Sequence, residues 1–319
     1  MLEQPTHSND VELSIVIVSW NVRDLLRQCL LSIGQQRESV RLEIVVVDSA
    51  SGDGSPQMVA REFPWVKVIT SQENVGFPRG NNIGIGESQG RYLLILNPDT
   101  LIAAEALQRM VEYMDVHASV GALGPRLRYP DGSIQSSRRR FPTLLTAFFE
   151  STWLEPWAPT RILQAYRMLD VPEGQIVDVD WVMGAALMVR QTVIEQVGPM
   201  DEAYFMYSEE LDWCRRIKDA GWRVVYYPNA EIVHHEGKSS EQAVTSRHIN
   251  FQRAKLRYFR KYHGRSACAL LRAFLLVSYA GQLLLEGAKG LVGHKRALRR
   301  QRVESYWQVL KSGLRPAGY

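Results

Sequence analysis

Short apolar runs alternate with helix-like segments through the first hundred residues. Four runs have the length and the Val/Ile content of strands that are buried on both faces, at residues 13–20, 42–49, 66–71 and 92–97. Leucines after the first run repeat with helical spacing, and Ser55 and Pro56 fit the N-cap and N1 positions of a later helix. This regular alternation predicts a doubly wound α/β sheet.

The rest of the chain departs from this alternation in two places. Residues 135–175 are aromatic and punctuated by prolines, so three interpretations stay open: a mobile lid, a wall of a binding site, or a packed helical insertion. Strand patterns then resume, and beyond about residue 245 the pattern is helical to the end. We therefore predict an α/β domain over residues 1–245 and a helical C-terminal extension over residues 246–319.

Polar residues stand at the ends of three predicted strands. These ends are Ser19-Trp20-Asn21, Asp48-Ser49 and Asn97-Pro98-Asp99. A simple turn is one explanation for the last triplet, because Asn, Pro and Asp all favour turns. Ligands of doubly wound sheets bind at the carboxyl ends of the strands, so three polar ends together favour a binding site. Asp48 is suited to accept a hydrogen bond from the imide N–H of uracil or thymine, which cytosine lacks.

Composition and charge narrow the class of protein. The 319 residues are 45% hydrophobic and 23% charged, which is typical of a globular protein, and the net charge of +4 is mild, so no nucleic-acid partner is expected. The scattered Cys29, Cys214 and Cys268 give no zinc-type pair and no disulfide framework, and the polar N-terminus has no secretory signal. We therefore expect a cytoplasmic protein. No GxGxxG fingerprint follows the first strand, which argues against an NAD-binding domain.

One apolar stretch, at residues 273–285, raises the question of membrane contact. It is shorter than the ~20 residues that cross a bilayer. On a helix, its polar neighbours fall in one sector: Arg272, Ser278, Gln282, Glu286 and Lys289. The predicted amphipathic helix either packs on the α/β domain or lies in a membrane interface. A basic cluster from Lys289 to Arg302 supports peripheral contact through residues 268–302, on the inner face of the cytoplasmic membrane.

Seven blocks of sequence carry a family resemblance that covers residues 13 to about 245. In order they are SIVIVSWN, VVVDSASGDGS, NVGFPRGNNIGI, LLILNPDT, WVMGAALMVR, FMYSEELDWCRR and IVHHEGKSS. This order resembles that of family 2 glycosyltransferases of the rhamnosyltransferase-like type. The resemblance implies a GT-A fold, a mixed sheet with helices on both faces. It also implies a nucleotide-sugar donor, a divalent Mg²⁺ or Mn²⁺ ion, and inversion at the anomeric carbon.

The resemblance places a metal site at the end of the fourth strand. Asp99 takes the position of the carboxylate that binds the ion, and Asn97 takes a position usually held by Asp, so its amide is assigned to the ribose or to a metal-bound water. His234 opens the family's His-any-any-Gly-any-Ser motif as a metal or phosphate ligand. His235 is the alternative, because neighbouring side chains of a strand point to opposite faces.

Donor contacts are expected from the strand ends and from one glycine-containing loop. Ser19 and Asn21 follow the first strand, and Asp53, between two glycines, either contacts the ligand or only shapes its turn. In the block NVGFPRGNNIGI, which resembles the donor loop, Arg79 and Asn81 are assigned to the nucleotide or its phosphates. The alternative for Asn81 is a helix cap.

The block FMYSEELDWCRR resembles the part of the family that holds the general base. An inverting transfer needs a carboxylate that takes the proton of the acceptor hydroxyl. Glu210 takes the position of the family's usual Asp, with Glu209 and Asp212 as alternatives. The block WVMGAALMVR resembles the acceptor side, where Trp181 is suited to stack on a sugar, unless it is plain core, and Gly184 leaves room.

The function implied by the resemblance is an inverting transfer from a UDP- or dTDP-sugar, with a weak preference for dTDP-L-rhamnose, to a polysaccharide or lipid-linked glycan. A non-catalytic glycan- or nucleotide-binding protein with the same fold is the alternative, because Asn97 and Glu210 both replace expected aspartates. A sugar-nucleotide pyrophosphorylase is less favoured, since SWNVRDLL is not the glycine-rich signature expected after its first strand.

Overall fold

The computed structural model describes residues 11–235, 244–291 and 295–315. Its sheets are built from strands with the following bounds: β1 Leu13–Ser19, β2 Leu42–Asp48, β3 Lys67–Thr70, β4 Tyr92–Leu96, β5 Thr100–Ile102, β6 Val120–Arg128, β7 Ile134–Gln135, β8 Arg138–Arg139, β9 Val177–Val179, β10 Trp181–Val182, β11 Ala186–Arg190 and β12 Arg223–His234. The four predicted N-terminal strands are present with bounds shifted by one or two residues.

The main sheet is mixed, with the strand order β3-β2-β1-β4-β11-β6-β12-β5. β1 pairs in parallel with β2 and with β4, whereas β11 runs antiparallel to β4 and β6. Because β2, β1 and β4 are neighbours and run in the same direction, their carboxyl ends lie side by side. Ser19, the last residue of β1, is in register with Asp48, the last residue of β2.

Helices cover both faces of this sheet. Their bounds are α1 Arg23–Gly34, α2 Ser55–Glu62, α3 Phe77–Gly86, α4 Ala106–Val116, α5 Leu144–Phe149, α6 Thr160–Tyr166, α7 Gln191–Val197, α8 Glu209–Asp219, α9 Val244–Leu291 and α10 Arg296–Ser312. Alternate residues of β1 show the two faces: Ile15 and Ile17 belong to one buried cluster and Val16 to another. The strands are therefore buried on both faces of the sheet, as their continuous apolar runs predict.

Two local expectations need correction. Gly54, with a φ of 80°, is the N-cap of α2, so Ser55 is the first helical residue and not the cap. The glycine-rich loop is also shorter than expected, because α3 begins at Phe77. The close spacing of glycines in this helix is explained by packing, since a Cβ on Gly84 would lie 2.3 Å from a methyl group of Val16 in β1.

Residues 135–175 form a packed helical insertion that contains β7, β8, α5 and α6. Thr146 and Ala147 of α5 are buried, and Ala147 shares an apolar cluster with residues of α9 and α10. The buried Arg138 donates hydrogen bonds to the carbonyls of Val171 and Pro172, which holds the far end of the insertion. The aromatic, proline-rich composition therefore reflects packing between the sheet and the C-terminal helices.

α9 is interrupted at Gly264, whose φ of 88° is not helical. We call residues 244–263 the first half of α9 and residues 265–291 its second half. The first half packs on the α/β part of the chain through the buried Tyr258 and Phe259 and through two ion pairs, Lys261 with Asp212 and Arg257 with Asp201. The second half packs mainly against α10.

The second half of α9 exposes apolar residues to solvent. Leu270, Val277, Leu284 and Leu291 are 55%, 72%, 71% and 86% exposed, and their seven-residue spacing places them on one face of the helix. The helix Thr245–Leu291 is long and apolar enough to cross a membrane by length and composition, with 22% of its most apolar window buried.

Two residues of the polar sector of this helix, Arg272 and Glu286, contact α10 or the residue just after it, whereas Lys289 is exposed. Arg272 donates a hydrogen bond to the carbonyl of Gly313, just after α10, and the buried Glu286 pairs with Arg299 of α10. The helix therefore packs through two residues of its polar sector as well as through the buried Leu271 and Leu275, and part of its apolar surface stays open.

Candidate active site

A cavity of about 220 Å³ opens where β1, β2 and β4 end. Trp20, Ser49, Asn97 and Asp99, which follow these three strands, all line it. The three strand ends therefore meet at one cavity, as predicted, although Ser19, Asn21 and Asp48 themselves are not among its lining residues. The opposite side of the cavity is formed by Gly184 and by residues 206–210, which lead into α8.

We call the first side of the cavity the strand wall, formed by Asn97, Asp99 and His234. His234 is buried, and its Nε2 lies 3.4 Å from Oδ1 of Asp99 and 3.3 Å from Nδ2 of Asn97. Its Nδ1 lies 2.9 Å from the side-chain oxygen of Gln135. In the tautomer with the proton on Nδ1, the imidazole donates to the amide oxygen of Gln135 and Nε2 is the acceptor on the side of Asn97 and Asp99.

The donor chemistry of this wall fits a hard divalent cation that arrives with a phosphate ligand. A buried carboxylate and an imidazole nitrogen lie side by side, and Gln135 and Asn97 contact the two nitrogens of the imidazole. Within the described ranges, no cluster of three or more His, Cys, Asp or Glu side chains is placed to hold a metal. Mg²⁺ and Mn²⁺ sites with few protein ligands are completed by substrate phosphates and water.

His235 contributes to the same region through its backbone. Its amide donates a hydrogen bond to the carbonyl of Asp99, whereas its buried Nε2 has no hydrogen-bond partner among the described residues. His234, and not His235, lines the cavity. Gly237 and Ser239, which complete the histidine motif, and Lys238 lie outside the described residues.

The opposite side, which we call the helix wall, consists of Glu209 and Glu210 at the start of α8. Tyr207 and Ser208, just before the helix, have φ angles of 76° and 63°, a strained conformation for residues with side chains. Gly76, the N-cap of α3, packs against the chain just before this turn: a Cβ there would lie 2.5 Å from the carbonyl of Phe205. The turn therefore aims both glutamates into the cavity.

The two glutamates differ in how their protonation is controlled. Burial raises the pKa of Glu209 well above its usual value, and the neighbouring Glu210 raises it further. Burial also raises the pKa of Glu210, but backbone amides, including that of Gly184, donate hydrogen bonds that oppose the rise. One oxygen of each carboxyl group has no hydrogen-bond partner among the described residues. The rise in pKa is therefore opposed by more hydrogen bonds at Glu210 than at Glu209.

Asp212, the third acidic residue of α8 predicted at the site, does not line the cavity. Its carboxylate is buried and accepts hydrogen bonds from Lys261, Tyr262 and Arg216 at 2.6, 3.0 and 3.0 Å. Both oxygens are thus occupied by groups from α8 and the first half of α9. Asp212 links these two helices, which leaves Glu209 and Glu210 as the acids of α8 that line the cavity.

A second, smaller cavity of about 100 Å³ lies on the other side of Glu210. Its walls come from the insertion, α8 and the first half of α9, and Glu210 and Tyr207 line both cavities. Trp181 lines it while its indole N–H donates to the carbonyl of Arg140. Gly184 instead lines the first cavity, where its Cα lies next to the side chain of Glu210.

Among the predicted donor-side residues of β1 and β2, two have buried atoms that lack a partner within the described part of the chain, namely Oγ of Ser19 and Oδ1 of Asp48. Oδ2 of Asp48 accepts from the amide of Ser51, so Asp48 is oriented with one acceptor left over. Asn21 and Asp53 shape the loops: Asn21 accepts from the amide of Gly52, and Asp53 from that of Arg23.

The structure does not bring Arg79 or Asn81 to the cavity lining. Both lie on α3, because the helix starts earlier than the sequence pattern suggested. Arg79 is exposed and lies 3.7 Å from Glu73, whereas Asn81 is buried and donates a hydrogen bond to the carbonyl of Phe77. Asn81 is therefore neither a cap nor a cavity residue.

Several lining residues were not singled out from the sequence, among them Tyr207 and Arg247. Tyr207 precedes the glutamates, and its left-handed backbone has no signature in the letters FMYSEE. Arg247 reaches the first cavity from the first half of α9. Only its position in the fold distinguishes it from the many other basic residues of the C-terminal region.

Comparison with known proteins agrees with this geometry. Residues 14–171 match the family model described as glycosyl transferase family 2. The N-acetylglucosaminyl-diphospho-decaprenol L-rhamnosyltransferase of Mycobacterium tuberculosis (strain CDC 1551 / Oshkosh) is 30% identical over 239 residues, which cover 72% of this chain and 77% of that protein. The chain belongs to glycosyltransferase family 2. It is a rhamnosyltransferase-like member, as the order of its sequence blocks predicts.

Two further likenesses bear on the subgroup and on the fold. Rhamnosyltransferase WbbL of Escherichia coli (strain K12) is 25% identical over 69% of this family 2 chain and 82% of its own. The solved structure of mannosyltransferase PcManGT from Pyrobaculum calidifontis, in complex with GDP-Man and Mn²⁺, superimposes with a TM-score of 0.56 at 18% identity, over 98% of this chain and 87% of that one. The predicted GT-A fold with C-terminal helices is confirmed.

Proposed function

We propose that this family 2 glycosyltransferase moves a sugar from a UDP- or dTDP-sugar, with dTDP-L-rhamnose favoured, to a hydroxyl of a polysaccharide or lipid-linked glycan, with inversion. The observation that carries the proposal is the position of Glu210. Its carboxyl group lies between two cavities, one lined by the strand wall and the other by Trp181 and Tyr166. A general base for a single displacement must face both the donor and the acceptor.

We assign donor binding to the first cavity. Asp48 does not line this cavity itself but precedes the lining residue Ser49, and its buried Oδ1, without a partner among the described residues, suits the imide N–H of uracil or thymine. Asp99 and His234 would hold Mg²⁺ or Mn²⁺; the structurally similar mannosyltransferase PcManGT was solved with GDP-Man and Mn²⁺. The ion, when bound, neutralises charge on the diphosphate. Asn97 orients His234 through its side-chain amide.

We assign the acceptor to the second cavity and proton transfer to Glu210. The acceptor oxygen bonds to the anomeric carbon while its proton passes to the Glu210 carboxylate. The bond from that carbon to the β-phosphate oxygen breaks, and its electron pair leaves with the nucleoside diphosphate. Burial and the neighbouring Glu210 raise the pKa of Glu209, which favours its protonated form next to the Glu210 carboxylate.

A donor screen tests this function. UDP- and dTDP-sugars are incubated with the full chain, with and without Mn²⁺, and the released nucleoside diphosphate is measured. We expect metal-dependent release from at least one donor, since water can replace the acceptor. Metal-dependent nucleotide binding without release from any donor, even with glycan acceptors present, would favour the non-catalytic binding protein instead.

We also propose that residues 1–245 form the catalytic unit and residues 246–319 an extension that contacts an anionic membrane surface through 268–302. The exposed apolar face of the second half of α9 supplies shallow insertion. Lys295, Arg296 and Arg300 are exposed and form no ion pair within the described residues, and each basic group near the surface contributes ~1 kcal/mol. Such docking suits a lipid-linked acceptor.

Co-sedimentation with vesicles that contain anionic lipid tests this surface. The full chain should pellet at low salt and be released as salt rises, because charges are screened within a Debye length of about 10 Å at 0.1 M. Val277→Glu should reduce pelleting, whereas Val116→Glu, a matched change at a residue 79% exposed on α4, should not. No pelleting of the wild type at low salt would contradict the membrane proposal.

A further inference from the structure

The first cavity is lined by more acidic than basic residues, although the proposed ligand is a negatively charged diphosphate. Three acidic residues line it, namely Asp99, Glu209 and Glu210. Among the described residues, Arg247 is the one lysine or arginine in its lining. A nucleoside diphosphate brings further negative charge into this space, so positive groups that face it control its binding.

Arg247 lies in the first turn of α9, at the edge of the cavity. It is exposed, and no acidic side chain in the described part of the chain forms an ion pair with it. Its guanidinium group is therefore available to an anion in the cavity. By contrast, Arg79 of α3, the arginine expected from the sequence, lies near Glu73 and does not line the cavity.

The position of Arg247 is fixed by contacts farther along the helix. Phe251 and Lys255, which come four and eight residues after Arg247, line the second cavity. One face of α9 therefore lies along both cavities. Lys255 pairs with Glu150 of the insertion, and Lys261 pairs with Asp212 of α8. These ion pairs anchor the first half of α9 on two different elements and hold its first turn over the cavity.

From this placement we propose that Arg247 binds the diphosphate of the donor. The inference rests on the proposed donor site. A planar guanidinium group with paired N–H donors matches the oxygens of a phosphate and stays charged at all working pH values. Arg247 then stabilises the bound donor and the charge that develops on the leaving diphosphate. The C-terminal extension thereby contributes a residue to the donor site.

Titration calorimetry with UDP or dTDP and with the parent nucleoside tests the assignment, in the presence and absence of Mn²⁺. Arg247→Ala should weaken binding of the diphosphate ~10–100-fold, the scale of a hydrogen-bonded charge, and leave nucleoside binding unchanged. Arg247→Lys should recover part of the loss, because it restores the charge but not the paired donors. Arg265→Ala, an exposed arginine on the same helix, is the matched control and should bind like the wild type.

Three outcomes would overturn the inference: diphosphate affinity unchanged in Arg247→Ala, an equal loss of nucleoside and diphosphate binding, or the expected loss in Arg79→Ala instead. A wild-type protein that binds neither diphosphate with Mn²⁺ would contradict the proposed function itself, so the two failures are distinguishable.

Discussion

The two walls of the first cavity present their polar groups in different ways. On the strand wall, His234 contacts both Asn97 and Asp99 and is oriented from behind by Gln135. On the helix wall, Glu209 and Glu210 each keep a buried oxygen without a partner among the described residues, and burial raises the pKa of both.

This difference indicates that the strand wall binds a cation and that the helix wall transfers a proton. A preorganised carboxylate and imidazole suit a group that binds a cation, because their geometry is set before the ligand arrives. Buried carboxyl groups with raised pKa values suit proton transfer, because their protonation can change near neutral pH. We therefore expect substitutions on the strand wall to affect binding and substitutions on the helix wall to affect turnover.

The largest effect is expected from Asp99→Ala on the strand wall. Asp99 is the carboxylate of that wall, so its loss should abolish the Mn²⁺-dependent part of nucleotide binding. Calorimetric titration of UDP or dTDP with and without Mn²⁺ measures this. Unchanged Mn²⁺ dependence in the variant would show that the metal lies elsewhere.

The next effect separates the two glutamates. Glu210→Gln should reduce turnover by ~10²-fold or more, the usual scale for loss of a general base. Glu209→Gln should cost much less, because burial and Glu210 raise the pKa of Glu209 and an amide resembles the protonated form that this rise favours. Release of the nucleoside diphosphate is the readout, and the reverse order of the two variants would move the base to Glu209.

Asp212→Asn should act on stability. The buried carboxylate would no longer pair with Lys261 and Arg216, which should lower the free energy of unfolding by about 1–3 kcal/mol. The matched control, Asp219→Asn, breaks an exposed pair with Arg215 and should cost no more than about 0.5 kcal/mol. Denaturant unfolding compares the two; a turnover loss in Asp212→Asn equal to that of Glu210→Gln, with stability unchanged, would make Asp212 a candidate base.

A smaller effect is expected in the pH dependence of turnover. The base acts as a carboxylate, so kcat/KM should be full above the pKa of Glu210 and fall as pH drops through it. Because burial raises the pKa of Glu210, this fall should occur above the ~4.3 of an exposed glutamate. A profile of rate against pH checks the position, and the fall should persist in Glu209→Gln. A profile that stays flat down to the ordinary glutamate range would argue against a buried base.

The sequence predicts the strand wall better than the helix wall and its surroundings. Asn97 and Asp99 follow an apolar run, and local periodicity is enough to place them at a strand end. The orientation of Asp212 depends on Lys261, 49 residues later, and no local pattern reports such a contact. For Arg247 the same holds, since its place at the cavity follows from ion pairs between elements distant in sequence.

The low helix propensity of glycine also led to a wrong prediction for the start of α3. The glycines in NVGFPRGNNIGI suggested a longer loop, but Gly84 is needed where the helix approaches Val16 of β1. Packing against the sheet therefore outweighs the low helix propensity of glycine. Arg79 and Asn81 consequently lie on a helix and away from the cavity lining.

The central claim is that the strand wall binds the metal and the nucleotide whereas the helix wall transfers the proton. The affinity of Glu210→Gln for UDP or dTDP, measured with and without Mn²⁺, tests this claim most directly. We predict the affinity and the Mn²⁺ dependence of the wild type in a variant whose turnover is reduced ~10²-fold or more. If Glu210→Gln instead lost nucleotide binding together with turnover, as expected for Asp99→Ala, the result would contradict this account. Both walls would then serve nucleotide binding.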